Sequence, residues 1–226
     1  MSHQGHRERL RDKAEVEATE LHEKLELLLF AALPRVNTND IAHRLLDELG
    51  GIQGVLCASI ERLTSVEGVG RSAAIHIRNT GALIREYELS QCHLRELLTS
   101  QDELYKFLRA IFACACREYT YMLMFTSGKR FLGYKKIGEG TYTQNTVPIK
   151  QAVLYAKSKK AQRVIIAHNH PDMIAIPSNV DIDSAGRMNV VFGNAGIQVI
   201  EHYVVADGKC VPYADKVAEC GGVWRP

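Results

Sequence analysis

No apolar run in this chain of 226 residues approaches the roughly 18 consecutive residues that a membrane helix needs. The opening stretch MSHQGHRERLRDKAE lacks the apolar core of a secretory signal, so the expected compartment is the cytoplasm. Cysteines at CxxC spacing are absent. The six present (Cys57, Cys92, Cys114, Cys116, Cys210 and Cys220) are expected to be reduced, and Cys114-x-Cys116 reads as two small buried residues rather than a metal pair. There is no repeat and no low-complexity tract. A dominant charge is also missing: the net is +2, with 12 basic against 15 acidic residues over positions 1–100 and 16 against 11 over positions 101–226. A slightly acidic front half argues against a strong phosphate-neutralising surface there. What remains is a 46% hydrophobic composition, enough for one large domain or two small ones with cores of their own.

The pattern divides into a helical region over residues 1–90, a linker and lead-in helix over 91–104, and an α/β region over 105–226. Residues 1–14 alternate in charge and read as a solvated lead-in. Leu21, Leu25, Leu28 and Leu29 fall at helical spacing. Thr38-Asn-Asp40 can cap a second helix that holds Ile41, Leu45, Leu46 and Leu49 and stops at Gly50-Gly51. Short helices follow over Ile52–Cys57 and from Ser59, with Ile60 and Leu63 inward. After Val66-Glu-Gly-Val-Gly-Arg-Ser72 comes a helix carrying Ala73, Ala74, Ile77, Leu83 and Ile84. Ser100-Gln-Asp-Glu is a capping box for a helix through Phe112. Tyr119–Phe125 and Arg130–Ile137 read as a hairpin around Thr126-Ser-Gly-Lys129. A helix over Pro148–Ser158, carrying Val153, Leu154 and Ala156, leads to Arg163–Ala167, whose continuous apolar run marks a strand buried on both faces. Asp181–Asn194 is a helix with Met188, Val190 and Val191 in the core. Ile197–Val205 and Gly208–Pro212 form a closing hairpin.

The chemically informative stretch is His168-Asn-His170-Pro-Asp-Met-Ile-Ala-Ile-Pro-Ser178-Asn-Val-Asp181. In extended backbone, residues i and i+2 point to one side, so His168 and His170 present two imidazoles together. Pro171 stops the strand, Pro177-Ser178 starts a helix, and Asp181 falls in its first turn. Two imidazole nitrogens and one carboxylate oxygen suit zinc and leave a fourth position for water, although the set tolerates other divalent ions. Such a site lies at the edge of an α/β sheet where catalytic groups collect. Ser178-x-x-Asp181 is also a good helix cap, so capping and catalysis compete for one hydroxyl. Asp183 lies about 200° further round the helix, away from the ligands. His202 reads as a packed strand histidine rather than a ligand.

H-x-H-x7-S-x2-D resembles the metal motif of the JAMM/MPN (JAB) metallopeptidases, and H-N-H-P followed by P-S-x-x-D resembles the RadC branch. Arg117-Glu118-Tyr-Thr-Tyr-Met-Leu-Met-Phe125 is similar to the strand start at which that family carries its general base, and Val147-Pro148-Ile-Lys150 to the helix start that follows. The likeness runs over about residues 100–215. It implies a mixed-sheet MPN/JAB (cytidine-deaminase-like) fold behind an all-α helix-hairpin-helix region. It also implies one Zn2+ held by His168, His170 and Asp181, Glu118 as general base, and Ser178 stabilising a tetrahedral oxyanion. The implied activity is hydrolysis of an amide bond in a protein or peptide. One departure is local: Asp172-Met173-Ile174-Ala175-Ile176 is bulkier and more apolar than the Ser-Gly that commonly follows H-N-H-P.

In the front half, Gly68-Val-Gly70 with Arg71-Ser72 resembles the hairpin of a helix-hairpin-helix, where glycines and a helix N-terminus admit a phosphate. The upstream counterpart, Leu33-Pro-Arg-Val-Asn-Thr38, has no glycine, and Glu67 sets a negative charge beside the turn. A DNA-associated accessory protein binding through Gly68, Gly70, Arg71 and Ser72 is therefore the alternative to a zinc peptidase, and a plain packing domain stands level with it. Nothing in the sequence fixes the oligomeric state.

Overall fold

The computed structural model describes residues 3–15, 19–141, 144–146, 148–171 and 174–219, so Val147, Asp172, Met173 and Cys220 lie outside the described residues. The chain forms two compact units, Met1–Glu86 and Tyr87–Pro226. Among the described residues, no helix is long and apolar enough to cross a membrane.

The first unit is helical: α1 His3–Glu15, α2 Leu21–Ala32, α3 Thr38–Leu49, α4 Gly51–Cys57 and α5 Ile60–Thr64, with α6 Arg71–Ser90 following. Its core joins Leu25 and Leu29 to Ile41, Leu45, Val55, Leu63, Ala73, Ala74 and Ile77. Gly50 ends α3 in the left-handed region (φ 76°), where glycine alone is unstrained. Three expectations need correction. The charged lead-in is a helix: Leu10 is buried, Arg7 donates to the carbonyls of Leu33 and Val36, and His6 reaches the buried Glu26 at 2.9 Å. The cap of α3 is Asn37, because Thr38 turns inward to donate to Glu26 at 3.0 Å. Leu83 and Ile84 are exposed, so the buried stripe of α6 stops earlier than the apolar pattern does.

The second unit is α/β. Its elements are α7 Gln101–Ile111, β1 Glu118–Phe125, β2 Phe131–Thr141, β3 Gln144–Thr146, α8 Ile149–Ser158, β4 Arg163–Asn169, α9 Asn179–Asn194, β5 Gln198–Ala206, β6 Lys209–Pro212 and α10 Ala214–Glu219. The six strands run in the order β3-β2-β1-β4-β5-β6, and β4 with β5 is the parallel pair in an otherwise antiparallel sheet. Alternation along each strand gives the sheet two apolar faces. Leu123, Phe125, Ile165, Ala167, Tyr203 and Val205 pack on α7 through Phe107, Leu108 and Ile111. Met122, Met124, Val164, Ile166 and Val199 pack on α8 and α9 through Ala152, Val153, Ala156, Met188 and Phe192. Asp207 and Gly208, both at positive φ, close the β5–β6 hairpin.

Four details differ from the sequence reading. Strand β2 runs on to Thr141 because β1 begins at Glu118 and needs a partner there, Gly140. Strand β3 is set by its pairing with β2 rather than by a pattern of its own. Leu154 and Val190 are exposed on the outer faces of their helices, since Ala152, Val153 and Ala156 supply the buried stripe of α8 and Ala185, Met188 and Phe192 that of α9. The capping box at α7 is half-formed: Ser100 Oγ accepts the Glu103 N–H at 3.3 Å, but the Glu103 carboxylate turns to the His93 N–H at 2.8 Å.

Candidate metal centre

At one end of the sheet the face beneath α8 and α9 changes from apolar to polar. Along β4 the residues on that face are Val164, Ile166 and His168, with His170 just beyond. The register Thr120↔His168 brings Thr120 and then Glu118 of β1 to the same end. On α9 the buried stripe of Phe192, Met188 and Ala185 extends by one turn to Asp181. Three elements, each anchored in the core, thus carry their polar residues to one place.

The donor atoms of Glu118, His168, His170 and Asp181 lie within 4.8 Å of one another. His168 Nε2 is 3.2 Å from His170 Nε2. His168 Nε2 is 3.5 Å from Asp181 Oδ1, and His170 Nε2 is 3.5 Å from Asp181 Oδ2. A tetrahedral zinc with bonds of about 2.0–2.1 Å sets its ligand atoms about 3.3–3.4 Å apart. Two imidazoles and a carboxylate therefore already stand at the separations that one small divalent cation requires. Both histidines are buried.

Each imidazole is steered by its far nitrogen. His170 Nδ1 lies 3.4 Å from the Ile174 carbonyl. A carbonyl only accepts, so Nδ1 carries the hydrogen and Nε2 keeps the lone pair that a metal takes. His168 Nδ1 lies 3.4 Å from the hydroxyl of the buried Tyr213. Tyr213 is held in turn: its N–H donates to His202 O at 2.9 Å, and the next N–H, of Ala214, donates to Glu201 at 2.8 Å.

Burial alone would push the Asp181 carboxyl up. The His168 and His170 rings facing it, together with the Ser178 hydroxyl, outweigh that and hold it well below the usual carboxylate range. The same contact with Asp181 raises His170 against the opposing effect of burial. Ser178 is the N-cap of α9 and forms a full capping box with Asp181: its N–H and its hydroxyl donate to Oδ2 at 2.7 and 2.6 Å, and Oγ accepts the Asp181 N–H at 3.3 Å. Its hydroxyl proton is thus spent on a candidate ligand.

Asp183 is exposed and stands outside the cluster, as expected from the helix angle. His202 is fully buried, 2.8 Å from Asn189 Oδ1, and burial pushes it down to about 3; it is a packed, neutral strand histidine. Two partners of the site carry little signal in the sequence: Tyr213 and the Ile174 carbonyl. A buried tyrosine beside a strand end is a weak signal at best.

In the helical unit, Gly68 has φ +88°, and a Cβ there would lie 2.9 Å from Cδ1 and Cγ1 of Ile41. Close packing against α3 is reason enough for that glycine. Gly70 has open space around it, its carbonyl accepts the Ala74 N–H at 3.0 Å, and Arg71 and Ser72 are exposed at the start of α6.

A family model described as the RadC-like JAB domain matches residues 98–218. The chain is 27% identical over 213 residues to a UPF0758 protein of Shewanella baltica, covering 94% of each. It is 29% identical over 212 residues to one of Fusobacterium nucleatum, covering 89% of this chain and 91% of that one. It is 29% identical over 177 residues to one of Cellvibrio japonicus, covering 78% and 79%.

Proposed function

The chain belongs to the RadC family of JAB-domain proteins, and from that premise we propose that it is a zinc-dependent metallopeptidase or isopeptidase acting on a protein or peptide. The observation that carries this reading is the convergence of Glu118, His168, His170 and Asp181 within 4.8 Å. His168, His170 and Asp181 are the ligands of one Zn2+, and Glu118 is the general base. Zn2+ held there supplies Lewis acidity and a water of lowered pKa. Glu118 takes a proton from the attacking water and hands it to the departing amine nitrogen. Ser178 is assigned the oxyanion, for which its hydroxyl must turn away from Asp181; while it does not, it orients that ligand instead.

The test is zinc analysis of the purified chain beside hydrolysis of a quenched-fluorescence peptide library and of isopeptide-linked conjugates. The expected outcome is one zinc per chain and chelator-sensitive cleavage. Glu118→Gln keeps the zinc but loses turnover by about 10²–10⁴-fold, and His170→Ala loses the zinc. Full turnover by Glu118→Gln removes Glu118 from the reaction.

A second reading, DNA binding by the helical unit, is favoured by one observation: Gly70, Arg71 and Ser72 are exposed together at the N-terminus of a 20-residue helix. It requires affinity for duplex DNA that falls steeply with salt and is weakened in Arg71→Ala.

A further inference from the structure

Strand β4 loses β1 as a partner where the candidate metal centre begins. Its paired residues on β1 end at Tyr121↔Ala167 and Thr120↔His168. Continued outward, that register sets Tyr119 against Asn169 and Glu118 against His170. Two main-chain bonds would hold this stretch: the Tyr119 N–H to the Asn169 carbonyl, and the N–H of residue 171 to the Arg117 carbonyl. Residue 171 is proline and has no N–H to give. His170 meanwhile donates its N–H to Val205 O of β5 at 3.0 Å, so the ligand-bearing segment follows β5 after it has left β1.

The side chain of Asn169 fills both empty places. Its Oδ1 accepts the Tyr119 N–H at 2.8 Å, and its Nδ2 donates to the Arg117 carbonyl at 3.1 Å. One carboxamide supplies the acceptor and the donor that the residues on either side of Glu118 need, and it does so at 4% exposure. Both bonds are part-buried, where leaving a main-chain group unpaired costs free energy, and a first strand residue frays readily without partners. Neither a carboxylate nor an alkyl group supplies both halves.

We infer that Asn169 is a positioning residue that fixes Glu118 against the His168–His170 pair by clamping the main chain on both sides of it. This inference rests on the reading of Glu118 as general base. Asn169 touches neither substrate nor metal. It lets Pro171 turn the chain out of the sheet and lets both histidines reach the cation while the base stays in register. A misplacement of about 1 Å in a catalytic group costs on the order of 10²-fold in rate.

The test uses the full chain with Asn169→Ala and with Asn169→Asp, which keeps the acceptor but not the donor. Zinc content, amide hydrogen exchange along β1 and hydrolysis of the peptide library are read together. Both variants are expected to keep one zinc per chain. In Asn169→Ala the Tyr119 amide exchanges at least about tenfold faster while Tyr121 and Leu123 are unchanged; in Asn169→Asp the Tyr119 amide stays protected. In Asn169→Ala, kcat falls about 10- to 100-fold with KM unchanged, and adding the change to Glu118→Gln lowers turnover no further. Unchanged Tyr119 exchange, loss of zinc, or additivity with Glu118→Gln overturns the inference. Should the parent chain cleave nothing, the hydrolase reading fails by itself, while exchange and zinc content still decide whether Asn169 clamps the base strand.

Discussion

Acid should destabilise this protein through His202, a residue outside the metal site. His202 is fully buried, and burial pushes its pKa from 6.5 to about 3. It is neutral in the fold, with Nε2 donating to Asn189 and Nδ1 without a hydrogen-bond partner among the described residues. The unfolded chain, whose histidines titrate near 6.5, takes up a proton that the folded chain refuses. The His202 contribution is therefore complete above about pH 6.5 and is lost by roughly 1.4 kcal/mol per unit as the pH drops towards about 3. Between pH 7 and pH 5 the loss is about 2 kcal/mol, for any folded value below about 4. His202→Gln keeps a nitrogen donor for Asn189 and does not titrate. Urea unfolding of both chains at pH 7 and pH 5, in chelator and with amide exchange reporting on β4 and β5, isolates the effect, because every other titrating group is shared. The variant is expected to be weaker at pH 7, having lost ring packing against Tyr213, but to lose about 2 kcal/mol less than the parent on acidification. Parallel losses in the two chains would refute the linkage.

On the proposed function, zinc would compete with a proton for His170, whose pKa the Asp181 contact raises. In the metal-free chain, the stability lent by that pair is present below about pH 6.5 and is lost as the pH rises through the raised value. The rise in melting temperature on adding zinc should therefore be larger at pH 8 than at pH 6, and equal rises would count against the pairing. Tyr213→Phe removes the hydroxyl 3.4 Å from His168 Nδ1 and should weaken zinc binding by about tenfold, with unaltered affinity in a competition titration as the contrary result. Gly68→Ala places a Cβ 2.9 Å from Ile41 at φ +88° and should cost about 1–3 kcal/mol in urea unfolding. A variant as stable as the parent would mean that packing is not what requires this glycine. Ser178→Ala should loosen zinc if the hydroxyl serves Asp181, but should lower turnover of the zinc-saturated chain by about 10²–10³-fold if it serves an oxyanion.

Much of the fold could be read from the sequence because local rules decide it. The buried run Val164–Ala167, the glycine stop after Leu49 and the Asp207-Gly208 turn each follow from a few adjacent residues. The failures have a common physical cause, a partner distant in the chain. Residues 3–15 look solvated because α1 buries one leucine and is otherwise tied by polar contacts, such as His6 with Glu26, that no periodicity reveals. The extra length of β2 and the existence of β3 depend on pairing with a neighbouring strand, not on their own residues. Val190 is apolar yet exposed, because Ala185, Met188 and Phe192 already cover the sheet.

The candidate site divides along the same line. His168 and His170 share a face by strand alternation, and Asp181 stands in the first turn of a capped helix, so three donors follow from local geometry. Glu118 lies fifty residues upstream of His168 and meets it only through the β1–β4 register, which no spacing encodes; only the family resemblance points to it from sequence. The same register explains what the motif leaves unsaid. A strand that delivers two candidate ligands and then meets proline loses its main-chain bonds to β1 at that point. Some side chain has to replace them if four groups on three elements are to stay within a few ångströms of one another. Asn169, set between the two histidines, is the residue within reach of both vacancies, and its amide has the one donor and one acceptor they need.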